Sequence, residues 1–394
     1  MRKLLNPYTP GAGVPPKYLA GRDATIREAE DALFYIKNGD FSRSVVYYGL
    51  RGVGKTVLLN KIEEMADEED IRYEHLEISE RSSFKNNISL HILKLIQQLS
   101  AKAKTKGYLS KALSVLKAFS IKYSPEGEIS LSIDSEIDSA VGISDTGNFE
   151  NDLTELLVSL GTLAQKQGTG VALFIDEIQY MKDDEFEALI AAIHRVNQKA
   201  LPLIIFAAGL PKIAKIAGDV KSYAERLFKF VSIGSLEQSA ARLALEEPAK
   251  KWGVSYSEVA LEKILQITEC YPYFLQEYGN QVWAKVSVDK RIIDATMVDE
   301  VYSDFEKSLD ESFFKVRHDR ATSRELDFMI AMVKCGTLPC STKAIAEQMQ
   351  CPVSAISPLR AQLIHKGFIY SANRGEVDFT VPQFDKYLKR IHNV

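Results

Sequence analysis

Val45-Val46-Tyr47-Tyr48-Gly49-Leu50-Arg51-Gly52-Val53-Gly54-Lys55-Thr56 decides how the rest of this 394-residue chain is read. A β-branched and aromatic run breaks into the pattern G-x-x-x-x-G-K-T. Gly49, Gly52 and Gly54 stand where a Cβ would obstruct backbone N–H groups turning inward around a triphosphate. Lys55 is expected to reach the β- and γ-phosphates, and Thr56 to offer its hydroxyl to Mg²⁺. Leu50, Arg51, Val53 and Val57 complete the stretch expected to contact ATP. The run from Val57 to Ile62 is expected to form a helix whose N-terminal dipole faces the anion. A Gly-rich turn without ligand is the bland alternative, and the strand-loop-helix setting argues against it.

A phosphate loop needs a second strand that brings a carboxylate to the metal. Val171-Ala172-Leu173-Phe174-Ile175-Asp176-Glu177 supplies it. Asp176 is expected to hold Mg²⁺ through water, and Glu177 to polarise the water that attacks the γ-phosphate. Two adjacent acids after an apolar run point to hydrolysis rather than nucleotide storage alone.

Composition bounds the rest. With 46% hydrophobic residues the chain has enough apolar material for about two or three cores. No apolar run reaches the roughly 18 residues of a membrane helix, and the N-terminus lacks the apolar stretch of a signal peptide, so a cytoplasmic protein without membrane contact is expected. Cys270, Cys335, Cys340 and Cys351 are too few and too unevenly spaced for a disulfide framework. Zinc at the last three with His365 matches no compact spacing, and buried thiols are the simpler reading. The overall charge of −4 hides an asymmetry: the segment from Lys315 onward is net basic and the remainder net acidic. Such segregation points to an anionic partner, nucleic acid above all, or to docking of the basic part on the acidic body of its own chain.

The first 18 residues, rich in Pro and Gly, are expected to form an extended arm. After the turn Leu19-Ala20-Gly21-Arg22-Asp23, the spacing of Ile26, Ala29, Leu33 and Ile36 predicts a helix. Further on, a strand is expected over 72–78, helices over 88–99 and 102–122, and a polar insertion, hairpin or mobile, over 124–151. Helix 153–167 then leads to the acidic strand, followed by helix 186–198 and strand 201–208. Strands alternating with helices imply an α/β fold with a parallel sheet and the nucleotide at its carboxyl edge.

The arm with Leu19-Ala20-Gly21-Arg22-Asp23, the loop ending Gly54-Lys55-Thr56, the Asp176-Glu177 strand and Arg226 together resemble the AAA+ ATPases of the origin-recognition and archaeal/bacterial ATPase group, which overlaps the signal-transduction (STAND) ATPases. The resemblance spans most of the chain. It implies an ASCE-type P-loop NTPase sheet over 19–235, a helical lid over 236–314 and a winged-helix domain over 315–394. It also implies that Gly21 and Arg22 border the adenine. Arg226, within Tyr223-Ala224-Glu225-Arg226-Leu227-Phe228, falls where the family places an arginine that reaches a neighbouring subunit's γ-phosphate, which implies self-association. A structural salt bridge is the competing reading of Arg226.

Two departures qualify the resemblance. Leu203-Ile204-Ile205-Phe206-Ala207-Ala208-Gly209 ends without the Asn, Ser or Thr that many relatives use to orient the attacking water. Thr268-Glu269-Cys270-Tyr271-Pro272-Tyr273 looks like the Gly-x-Pro segment of STAND ATPases with Cys270 in place of Gly, so Pro272 is expected to touch the base while no lid cation reaches the phosphates. Slow, switch-like use of ATP follows.

In the C-terminal segment, a helix is expected over 324–334, a capped helix from Ser341, and a recognition helix over 354–366 with Pro358 inside it. There Leu359, Leu363 and Ile364 are expected to face the core, leaving Ser354, Ser357, Arg360, Gln362 and Lys366 for a major groove. Phe368-Ile369-Tyr370 and Val377–Val381 bracket the turn Asn373-Arg374-Gly375, a wing whose Arg374 suits a minor groove. A closing helix over 384–391 carries Lys386, Lys389 and Arg390. If four to six such cations meet phosphates, affinity for duplex DNA should fall with a log–log salt slope of about −4 to −5. Two functions remain open: an ATP-dependent DNA-binding protein, or a STAND-type switch whose winged helix is an internal clamp or binds a protein partner.

Overall fold

The computed structural model describes residues 4–79, 84–99, 105–123, 137–213 and 224–394. They divide into two compact units, one of Arg22–Gly49 and Lys55–Ser232, the other of residues 1–21, Leu50–Gly54 and Ile233–Val394.

The first unit runs α1 (Asp23–Lys37), β1 (Ser44–Tyr48), α2 (Lys55–Glu68), β2 (Arg72–Glu77), α3 (Phe84–Gln98), α4 (Lys106–Tyr123), α5 (Phe149–Gln167), β3 (Val171–Asp176), α6 (Asp183–Gln198), β4 (Leu203–Gly209) and β5 (Phe228–Ser232). The five strands form one sheet in the order β2-β3-β4-β1-β5, every pair parallel. Parallel sheets are covered on both faces, so their central strands read as continuous apolar runs. β3 (VALFID) and β4 (LIIFAAG) are buried at every position. Ala29, Ala32, Leu33 and Ile36 of α1 are buried, the face that the helical spacing predicts.

One expected boundary moves. The polar insertion was expected to reach Asn151, yet α5 begins at Phe149, because the Asn148 side chain accepts from the Asn151 N–H at 3.2 Å and caps the helix. Phe149 then packs edge-on against Tyr123, ring centroids 5.2 Å apart. The preceding residues are tied down as well: the Ser144 hydroxyl donates to the Val115 carbonyl at 2.6 Å, and Lys117 donates to the Ile137 carbonyl at 2.8 Å. Residues 124–136 of that insertion, expected as a hairpin or a mobile stretch, lie outside the described residues.

The second unit contains α7 (Gln238–Lys250), α8 (Glu258–Thr268), α9 (Pro272–Trp283) and α10 (Ala295–Ser308), which continues through a π-turn, Leu309–Phe314, into the helical turn Lys315–His318. Then come α11 (Ser323–Lys334), β6 (Cys340–Ser341), α12 (Thr342–Gln348), α13 (Val353–His365), β7 (Ile369–Tyr370), β8 (Glu376–Phe379) and α14 (Phe384–His392). β8 pairs antiparallel with both β6 and β7. The β7–β8 hairpin is the one that the turn at Asn373-Arg374-Gly375 predicts, and Gly375 takes the left-handed backbone (φ 83°) that such a turn requires. β6 was not anticipated, since two residues carry no periodicity.

Residues 4–10 form no regular element, as Pro7 and Pro10 dictate, but they are not a free arm. Tyr8 is buried, its hydroxyl donating to the Leu245 carbonyl at 2.6 Å and sharing a 2.5 Å hydrogen bond with the Tyr256 hydroxyl. A Cβ at Gly279 would lie 2.6 Å from the Tyr8 ring, so glycine in α9 is the condition for this packing.

Candidate functional site

The site begins where β1 ends. Lys55 opens α2, is buried, and donates from Nζ to the Gly49 carbonyl at 3.1 Å. The Thr56 hydroxyl donates to Asp176 Oδ2 at 2.6 Å, bringing a hydroxyl and a carboxylate from distant parts of the sequence to one point. Asp176 is the last residue of β3 and is itself buried, and its Oδ1 accepts the Glu177 N–H at 2.7 Å. These are hard oxygen donors of the kind Mg²⁺ takes beside a phosphate, where one or two protein oxygens suffice because water and substrate supply the rest. Among the described residues, no group of three or more His, Cys, Asp or Glu side chains is placed to hold a metal ion without such help.

Glu177 stands in the left-handed region (φ 53°), a conformation that costs a residue with a Cβ about 1–2 kcal/mol. Its carboxylate accepts from the amide nitrogen of Gln179, and the Gln179 carbonyl oxygen accepts the Leu210 N–H at 2.9 Å. Gln179 is buried. A Cβ on Gly209 would meet Gln179 Oε1 at 3.0 Å and Ile178 Cγ2 at 2.9 Å. The lack of a polar residue at the end of β4 thus has a steric reason: Gln179 occupies that space. Sequence reasoning missed Gln179. The available signal was a polar residue two positions after the acids, opposite a strand end with no side chain.

In the second unit, Gly52 and Gly54 both take left-handed backbone, φ 85° and 89°. Leu50–Gly54 is held there from two directions. The Tyr271 hydroxyl donates to the Arg51 carbonyl and the Tyr273 N–H to the Gly52 carbonyl at 3.2 Å, while the Arg51 N–H donates to the Thr380 carbonyl at 3.4 Å. Burial pushes the Tyr271 hydroxyl far above its ordinary pKa, so it remains a donor. A Cβ on Gly52 would lie 3.2 Å from both Tyr271 and Tyr273. Beside the loop is a cavity of about 420 Å³ lined by Leu50, Val53, Glu269, Tyr271, Asp378 and Lys386, among others. Burial, followed by the neighbouring Asp385, raises the Asp378 carboxyl.

The remaining candidates fall as follows. Gly21 (φ 67°) packs so tightly that its Cβ would sit 2.7 Å from Ala240. Burial lowers the Arg22 guanidinium. Val57 and Pro272 are half-buried, and Pro272 is the first residue of α9. Cys270, standing for glycine, takes φ 55°. Arg226 is exposed in the helical turn Ala224–Leu227, without an ion pair to Glu225 or to any other described residue, and Tyr223 lies outside the described residues.

On α13, Ser354, Ser357 and Gln362 are exposed, as is Arg374 at the hairpin tip. Two of the expected cations already have partners within the segment. Arg360 donates to the Ser371 hydroxyl at 2.5 Å, and Lys366 pairs at 2.8 Å with Glu325, a fully buried carboxylate that also caps α11. Both cations are thus engaged within this segment. The core face of α13 also differs: Ile356 and Leu363 are buried, whereas Leu359 and Ile364 are half-exposed. The closing helix spends its charge within the chain: Lys386 meets Glu269 at 2.8 Å, Arg390 meets Glu306 at 3.2 Å and Asp310 at 2.5 Å, and Lys389 lies 3.8 Å from Asp385.

Comparison with known proteins agrees with this geometry. Residues 18–206 match the AAA ATPase domain. This segment is similar to the AAA ATPase domain, and its phosphate loop and parallel sheet fit that likeness. Residues 311–388 match a domain of unknown function. No curated protein matches the chain significantly. Among solved structures, the Walker-type ATPase of Pyrococcus abyssi is 14% identical, with 96% of this chain and 98% of that one covered at a TM-score of 0.55. The ORC1 protein of Aeropyrum pernix in complex with DNA is 14% identical, covering 95% and 94% at a TM-score of 0.46. The RuvB Holliday junction branch migration motor of Thermotoga maritima is also 14% identical, covering 94% and 95% at 0.45. At such identity the first of these speaks to the fold alone, and the other two carry no argument. The matched segment contains the phosphate loop, the acidic strand and the first three strands of the parallel sheet. No described helix is long and apolar enough to cross a membrane.

Proposed function

We propose that the AAA+ ATPase domain binds ATP with Mg²⁺, hydrolyses it slowly, and uses the nucleotide to hold or release the segment from Lys315 onward, a winged-helix module acting as an internal clamp. The observation that carries this reading is the grip on Leu50–Gly54: Tyr271, Tyr273 and the Thr380 carbonyl all bond the backbone of the loop. A ligand that reshapes this loop changes contacts with α9 and with the end of β8 at once. The pairing of Lys386 and Arg390 with Glu269, Glu306 and Asp310 supports the clamp, because the basic tail meets its anions inside the chain.

In this reading Lys55 neutralises phosphate charge and the loop N–H groups cradle it. Thr56, and Asp176 through water, would hold Mg²⁺, which neutralises phosphate charge when bound. Glu177 accepts the proton of the attacking water, and Gln179 fixes its carboxylate. The adenine contacts are assigned to Gly21, Arg22 and Pro272, and Arg226, exposed and unpaired, is assigned to a neighbouring copy.

Duplex DNA binding is the second reading, favoured by the exposure of Ser354, Ser357, Gln362 and Arg374. Steady-state ATP hydrolysis by the full chain, with and without duplex DNA at low and moderate salt, separates the two. Turnover indifferent to DNA supports the clamp, and a DNA effect that fades with salt supports the DNA-binding ATPase. Lys55→Ala is expected to abolish ATP binding and Glu177→Gln to trap bound ATP. Unchanged turnover in either variant would remove the site assignment.

A further inference from the structure

Two imidazoles outside the phosphate site meet at the ends of two helices. His318 closes the helical turn Lys315–His318, which ends the run begun by α10, and His392 is the last residue of α14. Their Nε2 atoms are 3.2 Å apart, although the sequence separates the two residues by 74 positions. The ring centroids lie 5.4 Å apart, with the planes 34° from parallel. The His318 ring stands edge-on to Tyr387, centroids 6.0 Å apart, and Tyr387 is itself buried and stacked on Phe314. His318 Nδ1 donates to Asp319 Oδ1 at 3.3 Å. A carboxylate only accepts, so the His318 Nε2 carries a lone pair, and His392 is the group that meets it.

A Zn²⁺ ion bonded tetrahedrally to two imidazoles holds their nitrogens about 3.3 Å apart, given Zn–N bonds of about 2.0–2.1 Å. The observed 3.2 Å matches that edge, so neither helix has to move. Metal-binding histidines characteristically donate the other ring N–H to a carboxylate, as His318 does to Asp319. Both residues also end their helices, where the dipole favours a positive charge. The cations in the last turn of α14 are engaged elsewhere: Lys389 lies 3.8 Å from Asp385, and Arg390 meets Glu306 and Asp310. Without an ion the two nitrogens share one hydrogen bond whose proton sits on His392. Binding an ion needs only the other tautomer of His392, that proton passing to its Nδ1 through solvent.

We propose that His318 and His392 form a two-histidine site for a borderline divalent ion of the Zn²⁺ type, which clips the closing helix α14 to the end of the helix begun by α10. Imidazole nitrogen suits Zn²⁺ and its late first-row neighbours, whereas Mg²⁺ and Ca²⁺ take oxygen. Among the described residues no third His, Cys, Asp or Glu joins the pair, so water or a donor from outside fills the remaining positions. The site goes beyond the ATP reading and stands without it. Lys386 and Arg390 already hold α14 to Glu269, Glu306 and Asp310. An ion at its last residue adds a tie whose strength follows the ion's concentration.

The test is calorimetric titration of the chelator-treated full chain with Zn²⁺, for the native chain, His318→Gln, His392→Gln and Asp319→Asn, with Mg²⁺ as the control ion. The native chain is expected to bind one equivalent of Zn²⁺ that both His variants lose. Asp319→Asn keeps both ligands and should weaken that equivalent by about 10-fold. Any Zn²⁺ held by the cysteines is common to all four chains and cancels in the comparison. Zn²⁺ should also raise the unfolding midpoint of the native chain by more than that of the His variants, a difference that a merely structural pair would not produce. Should one His variant fail to fold, the other and Asp319→Asn carry the test. A native chain that binds no Zn²⁺, or folded His variants that bind it as the native chain does, would overturn the proposal and leave the pair as a hydrogen bond alone. Neither result touches the ATP reading.

Discussion

Gln179 ties Glu177 to the far side of the sheet edge: its amide nitrogen donates to the Glu177 carboxylate while its carbonyl oxygen takes the Leu210 N–H at 2.9 Å. The carboxylate proposed above as the base is thus aimed by a neighbour whose own position is fixed by the backbone after β4. Gln179→Ala is therefore expected to lower kcat by about 10- to 100-fold, a fraction of what a well-placed base contributes, with ATP affinity little changed. Gly209→Ala, whose Cβ enters the space of the Gln179 carbonyl, should act in the same direction. Steady-state kinetics with separate kcat and KM check both, and an unaltered kcat would show that Glu177 needs no such support.

Cys270 bears a strain that glycine would not. It follows Glu269 in a second consecutive left-handed conformation, φ 53° and 55°, just before Pro272 begins α9. Cys270→Gly removes the Cβ conflict, on the order of 1 kcal/mol, and gives up some thiol burial. A modest rise in the urea midpoint at constant m-value is the expected result. A fall would mean that thiol packing outweighs the backbone term.

His75 couples stability of the sheet unit to pH. The hydrogen bond that the His75 ring donates to Glu63 is the main cause raising the His75 pKa; burial opposes it, and Glu63, Asp176 and Glu77 add further charge in the same direction. A raised folded-state pKa means that the native state holds the proton more tightly. The contribution is thus complete below the unfolded value of about 6.5 and is lost as pH rises through the folded value. Glu63→Gln should cost more stability at pH 5.5 than at pH 9, measured by urea unfolding. An equal cost at both would show that the pair is not ionic.

Tyr8→Phe deletes a hydroxyl that serves two buried partners, the Leu245 carbonyl and the Tyr256 hydroxyl. Leaving them unpaired is expected to cost about 1–3 kcal/mol in chemical denaturation. Tyr8→Ala, which also removes the ring packed against Trp283, should cost more.

What was legible in the sequence follows from how local its cause is. Gly52, Gly54, Lys55 and Thr56 are consecutive or nearly so, and each has a steric or charge reason that one stretch displays. The apolar runs of β3 and β4 likewise announce strands buried on both faces. The boundary of α5 was misplaced because Asn148 looks like loop composition until its capping bond is seen. Long-range pairings were invisible: nothing near Lys366 indicates that Glu325 will neutralise it, and Arg390 is some 80 positions from Asp310 in sequence. A count of cations in the tail therefore overstated what the tail offers to DNA. Gln179 and His392 were missed for the same reason, since each gains meaning from a partner brought to it by the fold.

The interleaving of the two compact units bears on synthesis. Tyr8 emerges from the ribosome 237 positions ahead of its acceptor, Leu245. At ordinary elongation rates that interval is roughly 12 to 50 s. The sheet unit, continuous but for five loop residues, has its whole sequence available in that time, while the arm waits with an exposed aromatic ring. Translation thus orders the assembly: the sheet unit can form on the nascent chain before Leu245, to which Tyr8 donates, has been made.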